Sequence, residues 1–118
     1  MSQPVGVLVL QDALTLLSDP SAWTQHTLRQ ERPLPIMNRL RRTVPAGFVR
    51  MARCIDGALE DAAHKYGGTD AHNMARRLVY PHLPGAAAPA SIHEWNDAPG
   101  RRHEEVLGLL KRARRAAA

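Results

Sequence analysis

Aromatic side chains are scarce in this sequence: they make up 4% of its 118 residues, although apolar residues as a whole make up 44%. A hydrophobic core must therefore be built from Ala, Leu, Val and Met, a composition that favours closely packed helices. The single cysteine, Cys54, excludes an internal disulfide and is typical of a reducing cytoplasm. The chain has the size of one ordinary domain, and we predict a single helical domain over residues 1–118.

Long apolar runs are also missing. The densest apolar segment, from Val5 to Leu17, is about half the length that spans a bilayer and is interrupted by Gln11 and Asp12. No basic region precedes this segment and no cleavage signal follows it, so we expect neither a signal peptide nor a membrane anchor. These features together predict a cytoplasmic protein without membrane contact.

Lysine is rare, and arginine takes its place. The chain has 2 Lys and 14 Arg, with a formal net charge of +5, which would attract polyanions or an acidic partner. A GC-rich genome produces the same Arg, Ala, Gly and Pro content by codon usage. The arginine content alone is therefore weak evidence for nucleic-acid binding.

The basic residues form two clusters along the chain. The first, predicted to bind nucleic acid or another anion, consists of Arg29, Arg32, Arg39, Arg41, Arg42, Arg50 and Arg53. The second consists of Arg101, Arg102 and the Lys-Arg-Ala-Arg-Arg run of residues 111–115. If the cations converge on one face, they form a phosphate-binding footprint; otherwise they are solvated helix faces and caps. The sequence has no clear helix-turn-helix signature and no aromatic stacking platform, which disfavours single-strand binding.

The spacing of apolar residues predicts four helices, over residues 5–17, 48–66, 71–80 and 102–116. Ser18-Asp19-Pro20 ends the first helix, and Gly67-Gly68 supplies a left-handed C-cap for the second. Residues 29–47 contain three prolines and are predicted to form an irregular basic loop, while residues 84–91 form a small-residue connector. The predicted fold class is all-α: a compact bundle of about four helices with an irregular Arg/Pro-rich segment between helices one and two.

The segment Trp95-Asn96-Asp97-Ala98-Pro99-Gly100 leads into the last predicted helix. We predict a structural loop in which Trp95 is buried against the first two helices, Asn96 or Asp97 accepts backbone N–H groups in an Asx-turn, and Pro99-Gly100 form the turn. The alternative is functional: Asp97 orients a catalytic or binding group.

Cys54 is the candidate nucleophile. It lies near the predicted start of a helix, where the helix dipole and Arg50 or Arg53 would lower the pKa of the thiol. Cys54, His93 and then Asn96 or Asp97 occur in the order found in papain-like hydrolases. That order arises easily by chance, and a lone cysteine on the inner face of an Ala-rich helix is more often an inert core residue. Cys54, His93 and Asp97 are therefore the predicted catalytic residues of an alternative, enzymatic function.

Three stretches resemble a family of unknown function that occurs in small proteins of actinobacteria and their phages: Trp23-Thr24-Gln25, Cys54-Ile55-Asp56-Gly57-Ala58-Leu59, and Ser91 to Arg101 running into Glu105-Val106. The resemblance covers residues 5–116, and residues 29–47 match poorly. Family members often have an aromatic residue in place of Arg53, an aliphatic one in place of His93 and a Thr in place of Arg102. That Thr would form a capping box with Glu105. The resemblance implies this helical fold and no particular activity.

The chain has no Gly-rich phosphate loop, paired carboxylates or nucleophile elbow, so the common enzyme classes lack support. Its six histidines have no metal-ligand spacing, and we expect no metal and no cofactor. We predict a binding or regulatory accessory protein that contacts a macromolecular partner, protein or nucleic acid, through the basic region 29–53. The alternative is a small cysteine-dependent hydrolase or transferase. Burial of a helix face in a homodimer is also compatible with so few aromatic residues.

Overall fold

A computed structural model of the chain describes residues 3–33, 49–83 and 91–118. In these ranges the elements are α1 (Val5–Leu16), β1 (Arg29–Pro33), β2 (Val49–Arg53), α2 (Ile55–Ala63), α3 (Thr69–Val79), α4 (Ile92–Asp97) and α5 (His103–Ala117). The prediction of a helical bundle is confirmed, with a small two-stranded sheet added. No helix in the described ranges is long and apolar enough to cross a membrane.

α1 is the central helix of the bundle and contacts α2, α3 and α5. It is apolar almost throughout, so it can be buried on several sides at once. The absence of a side chain at Gly6 lets α3 approach, because a Cβ there would lie 2.7 Å from Leu78 Cδ1. The buried apolar residues around α1 are Leu, Ile, Val and Ala, and Trp95 is the one aromatic residue in the core of the described chain.

The second helix begins later than predicted. Residues 48–66 were expected to be one helix, but residues Val49–Arg53 form β2, and α2 starts at Ile55. The strand is stabilised by a partner that is distant in sequence: β1 pairs antiparallel with β2, with Arg29 opposite Arg53 and Arg32 opposite Arg50. Ladder hydrogen bonds to this partner override the local helical spacing.

The irregular loop predicted over residues 29–47 is wrong at its start, because residues Arg29–Pro33 form β1. The remainder of the loop, with Arg39, Arg41 and Arg42, lies outside the described residues. Residues 84–90 of the predicted connector lie outside them too.

The segment before the last helix is helical where a loop was predicted. Residues Ile92–Asp97 form α4, and the Ser91 hydroxyl oxygen accepts the N–H of Glu94 at 3.1 Å as its N-cap. The predicted Pro99-Gly100 turn is confirmed: the N–H of Arg101 donates to the Ala98 carbonyl oxygen at 3.1 Å, and Gly100 has a φ of 77°. This turn reverses the chain between α4 and α5.

α3 and α5 pack against α1 through short apolar side chains. On α3 the buried residues are Ala71, Ala75 and Val79, whereas Met74 is 46% exposed. At the start of α5, the Glu105 carboxylate accepts the N–H of Arg102 at 2.8 Å. A guanidinium has no acceptor for the reciprocal bond, so this cap is one-sided.

Candidate functional site

Cys54 joins β2 to α2 and acts as the N-cap of α2. Its backbone N–H donates to the Leu28 carbonyl oxygen at 3.1 Å, and its Sγ accepts the N–H of Gly57 at 3.3 Å. The residue is 2% exposed. Burial raises the pKa of the thiol, against the opposing effect of the backbone N–H groups. The prediction of a lowered thiol pKa is therefore wrong, because removal from water outweighs the helix terminus.

His93 and Asp97 lie on α4, but each has other partners. His93 Nε2 is 3.1 Å from Asp56 Oδ2, and Asp97 Oδ1 accepts the backbone N–H of His26 at 2.8 Å. Burial alone would raise the pKa of Asp97, yet the hydrogen bonds from His26 and Asn96 lower it below its ordinary value. Within the described residues, Cys54 Sγ makes no hydrogen bond to His93 or Asp97. The three predicted catalytic residues are thus near one another without forming a nucleophile–base pair.

Asn96 on α4 joins the segment at Trp23 and Thr24 to the start of α2 and is fully buried. Its Oδ1 accepts Trp23 Nε1–H at 2.8 Å and the N–H of Ile55 at 3.1 Å. Its Nδ2 donates to the Thr24 carbonyl oxygen at 3.1 Å and to Asp97 Oδ1 at 2.9 Å. Every donor and acceptor of the amide is therefore used. The partners come from distant segments, so the local Asx-turn predicted here is replaced by a tertiary network.

Trp95 is buried next to this network and carries a cation on its ring. The Arg101 guanidinium lies 3.8 Å from the ring centroid, and its Nε donates to the Trp95 carbonyl oxygen at 2.8 Å. These contacts fix α4 against the turn that starts α5. Trp95, Asn96 and Asp97 together hold the fold of this region, and each side chain has a structural role.

Asp56 organises a cluster that the sequence reading missed. His72 Nε2 is 2.8 Å from Asp56 Oδ1, His93 Nε2 is 3.1 Å from Oδ2, and Arg76 Nε is 3.4 Å from Oδ1. The carboxylate thereby ties α2 to α3 and α4. The i, i+4 spacing of His72 and Arg76 was the one available signal, and it indicates a shared face without naming the partner. No group of three His, Cys, Asp or Glu side chains in the described parts of the chain is arranged to hold a metal ion.

One arginine of each strand, Arg29 of β1 and Arg53 of β2, binds acidic side chains of α2. Arg29 Nε donates to both Asp61 oxygens, at 3.1 and 2.9 Å, and its guanidinium also contacts Glu60. Arg53 donates to the same Asp61 carboxylate. Hydrogen bonds to Asp61 and Glu60 raise the pKa of Arg29. Burial alone would raise the pKa of Asp61, but its hydrogen bonds from Arg29 and Arg53 lower it below its ordinary value. Arg29 and Arg53 are thus neutralised inside the protein and do not form the free basic face that was predicted.

Arg32 differs from its two neighbours because its contacts are neutral. Its guanidinium donates to Thr24 Oγ1 and Gln30 Oε1, both at 3.2 Å. Arg50 lies in β2 opposite Arg32. Of the predicted basic cluster, Arg32 is the described side chain that keeps an uncompensated charge.

A second basic surface lies where α3 and α5 end side by side. A shallow depression of about 210 Å³ separates Arg77 and His82 from Ala113, Ala116 and Ala117. We define the basic end as Arg77, which lines the depression, together with the four cations in the last two turns of α5, Lys111, Arg112, Arg114 and Arg115. None of them makes an ion pair within the described residues. Residues 71–83 and 106–118 contain no acidic residue at all.

The basic end accounts for the net charge of the protein. The chain has 16 Lys and Arg against 11 Asp and Glu, so its five members equal the whole formal excess of +5. The remaining cations and acids balance in number, and several of them are paired with one another. The two segments that carry the basic end, residues 71–83 and 106–118, thus contain cations and no acid to offset them.

Comparison with known proteins gives one match. Residues 1–116 match the model of a family described as a family of unknown function, DUF6197. No curated protein and no solved structure matches the chain.

Proposed function

The chain belongs to the DUF6197 family, and since that family has no assigned function, we propose from the charges of the chain itself that it is a binding or regulatory accessory protein. The proposed partner is a negatively charged macromolecule, and the proposed contact surface is the basic end. We place the contact here and not in the region 29–53 of the sequence prediction, because two arginines of that region, Arg29 and Arg53, already pair with Glu60 and Asp61.

The observation that carries the proposal is the concentration of unpaired cations on two adjacent helices. Cations in the last turn of a helix are favourable on their own, because they oppose the helix dipole. That effect accounts for basic residues at the end of α5. It does not require Arg77 of α3 to lie beside the end of α5, nor the lack of acidic residues on both segments. A surface of this kind raises the local concentration of anionic partners.

We expect retention on an immobilised polyanion, such as heparin, to depend on where the charge lies and not only on its total. The triple variant Arg112→Gln, Arg114→Gln, Arg115→Gln removes three charges from the basic end. The matched control Arg32→Gln, Lys65→Gln, Arg102→Gln removes three charges elsewhere. The first variant should elute at clearly lower salt than the control, because surface charges act locally at ordinary ionic strength. Equal elution of the two, or no retention of the wild type at low salt, would contradict the proposal.

The cysteine-dependent hydrolase or transferase using Cys54, His93 and Asp97 is a separate proposal that requires a reactive thiol. The burial and raised pKa of Cys54 lead us to expect the opposite. At pH 7.5 the native protein should react with iodoacetamide or a disulfide reagent at least about tenfold more slowly than the urea-unfolded chain. Native-state labelling as fast as that of a small free thiol would favour the enzyme.

The remaining proposals concern the location, the origin and the oligomeric state of the protein. We propose a cytoplasmic location, which the buried single cysteine supports. We propose an actinobacterial or phage origin from the resemblance of the motif segments. A homodimer that buries a helix face stays a prediction.

A further inference from the structure

We propose that the basic end binds the phosphate backbone of double-stranded nucleic acid, without reading its sequence. This inference rests on the proposed function, which it narrows from a polyanion to one class of partner. It is carried by the kind of cation at the basic end, by the shape between the two helices and by the surroundings of the nearest aromatic ring.

The cations at the basic end suit phosphate. Four of the five are arginines, whose planar guanidinium donates paired hydrogen bonds to phosphate oxygens. Arg77 borders the depression from α3, and the other four belong to the last two turns of α5, so cations of two adjacent helices can contact successive phosphates along a strand. Lys111, Arg112 and Arg115 recur at i, i+1 and i+4, which places them towards one side of α5.

The depression between the helices allows close approach. Its α5 side is formed by Ala113, Ala116 and Ala117, which carry no long side chain. A phosphate–sugar backbone can therefore come near the helix surface beside Arg77 and His82, the two basic side chains that line the depression. An acidic protein surface carries its charge on flexible side chains, so a narrow depression of this kind contributes less to its binding.

The nearest aromatic ring does not favour a single strand. Tyr80 follows α3 and is 37% exposed, but the Arg76 guanidinium lies 5.9 Å from its ring centroid and donates to its hydroxyl at 3.1 Å. Single-strand binding relies on several free rings that stack on successive bases. The described surface of the basic end has no such row, so contact with the backbone of a duplex is the better fit.

The salt dependence of duplex binding provides the test. Binding of a 24-base-pair duplex of arbitrary sequence is measured by fluorescence anisotropy at about 50 to 200 mM salt. Contact with three to five phosphates predicts that log K falls against log salt with a slope of roughly −2.7 to −4.5. Arg112→Gln and Arg115→Gln should each reduce the magnitude of this slope by about 1 and weaken binding about five- to tenfold near 0.1 M salt. A second duplex of unrelated sequence should bind equally well.

Arg102→Gln is the matched control, because Arg102 is 70% exposed and lies at the opposite end of α5. It should leave the slope unchanged, and thermal melting of all three variants verifies that they fold. A single strand of the same length and polyglutamate of the same charge are the competing ligands. If polyglutamate or the single strand binds as tightly as the duplex, the inference is wrong while the proposed function stands. If none of the polyanions binds, both are wrong.

Discussion

Replacing Gly57 by alanine is expected to destabilise the protein by about 3 kcal/mol or more. Gly57 lies in the first turn of α2, and a Cβ there would be 2.3 Å from the Leu28 carbonyl oxygen. That oxygen cannot retreat freely, because it accepts the N–H of Cys54 at 3.1 Å. Relief of the clash requires a backbone shift that separates Leu28, just before β1, from the start of α2. The free energy of unfolding in urea measures the effect.

Gly108 in α5 provides the matched control, since Gly108→Ala is the same change in another helix. A Cβ at Gly108 would lie 3.4 Å from the flexible Arg112 guanidinium. Alanine inside a helix is favoured over glycine, so this variant should be about 0.5 to 1 kcal/mol more stable. If Gly57→Ala unfolds at the same urea concentration as the wild type, the close approach of Leu28 to α2 is wrong.

Much of the helical framework could be predicted because its information is local. The spacing of apolar residues placed α1 and α5 within a residue or two of their observed bounds. The start of α2 could not be found this way. β2 has helical spacing in its sequence, and its strand conformation depends on β1, a partner that begins twenty residues upstream of it. Single-sequence periodicity contains no such information.

The candidate site could likewise be predicted only in part, because ion pairs between distant segments are not visible in the sequence. Fourteen arginines were visible in the sequence, but not which of them were already paired. Arg29 of β1 and Arg53 of β2 both pair with Asp61 of α2, whereas the cations of the basic end make no ion pair within the described residues. The contact surface that we propose is thus the set of cations that the fold leaves without an acidic partner. Composition alone could not distinguish the two groups.

The second large effect is expected at Asn96, where Asn96→Asp keeps the size of the side chain and changes one donor into an acceptor. Oδ1 can still accept from Trp23 and Ile55, but the new oxygen faces the Thr24 carbonyl oxygen and Asp97 Oδ1, at the positions now held at 3.1 and 2.9 Å. A fully buried carboxylate next to two acceptors should cost about 3 to 5 kcal/mol at pH 7. Equilibrium unfolding in urea measures this cost.

The pH dependence of this cost separates electrostatics from a simple packing defect. Burial beside Asp97 raises the pKa of the introduced carboxyl in the folded state, so its penalty is present above the unfolded pKa of about 3.9 and shrinks as the pH falls and the group binds a proton. A protonated carboxyl can donate to Thr24 or Asp97 again. Asn73→Asp on the half-buried face of α3 is the control and should change stability by no more than about 0.5 kcal/mol. A cost for Asn96→Asp that is equal at pH 4.5 and pH 7 would show that the amide is not the hydrogen-bonding centre joining α4 to the start of α2.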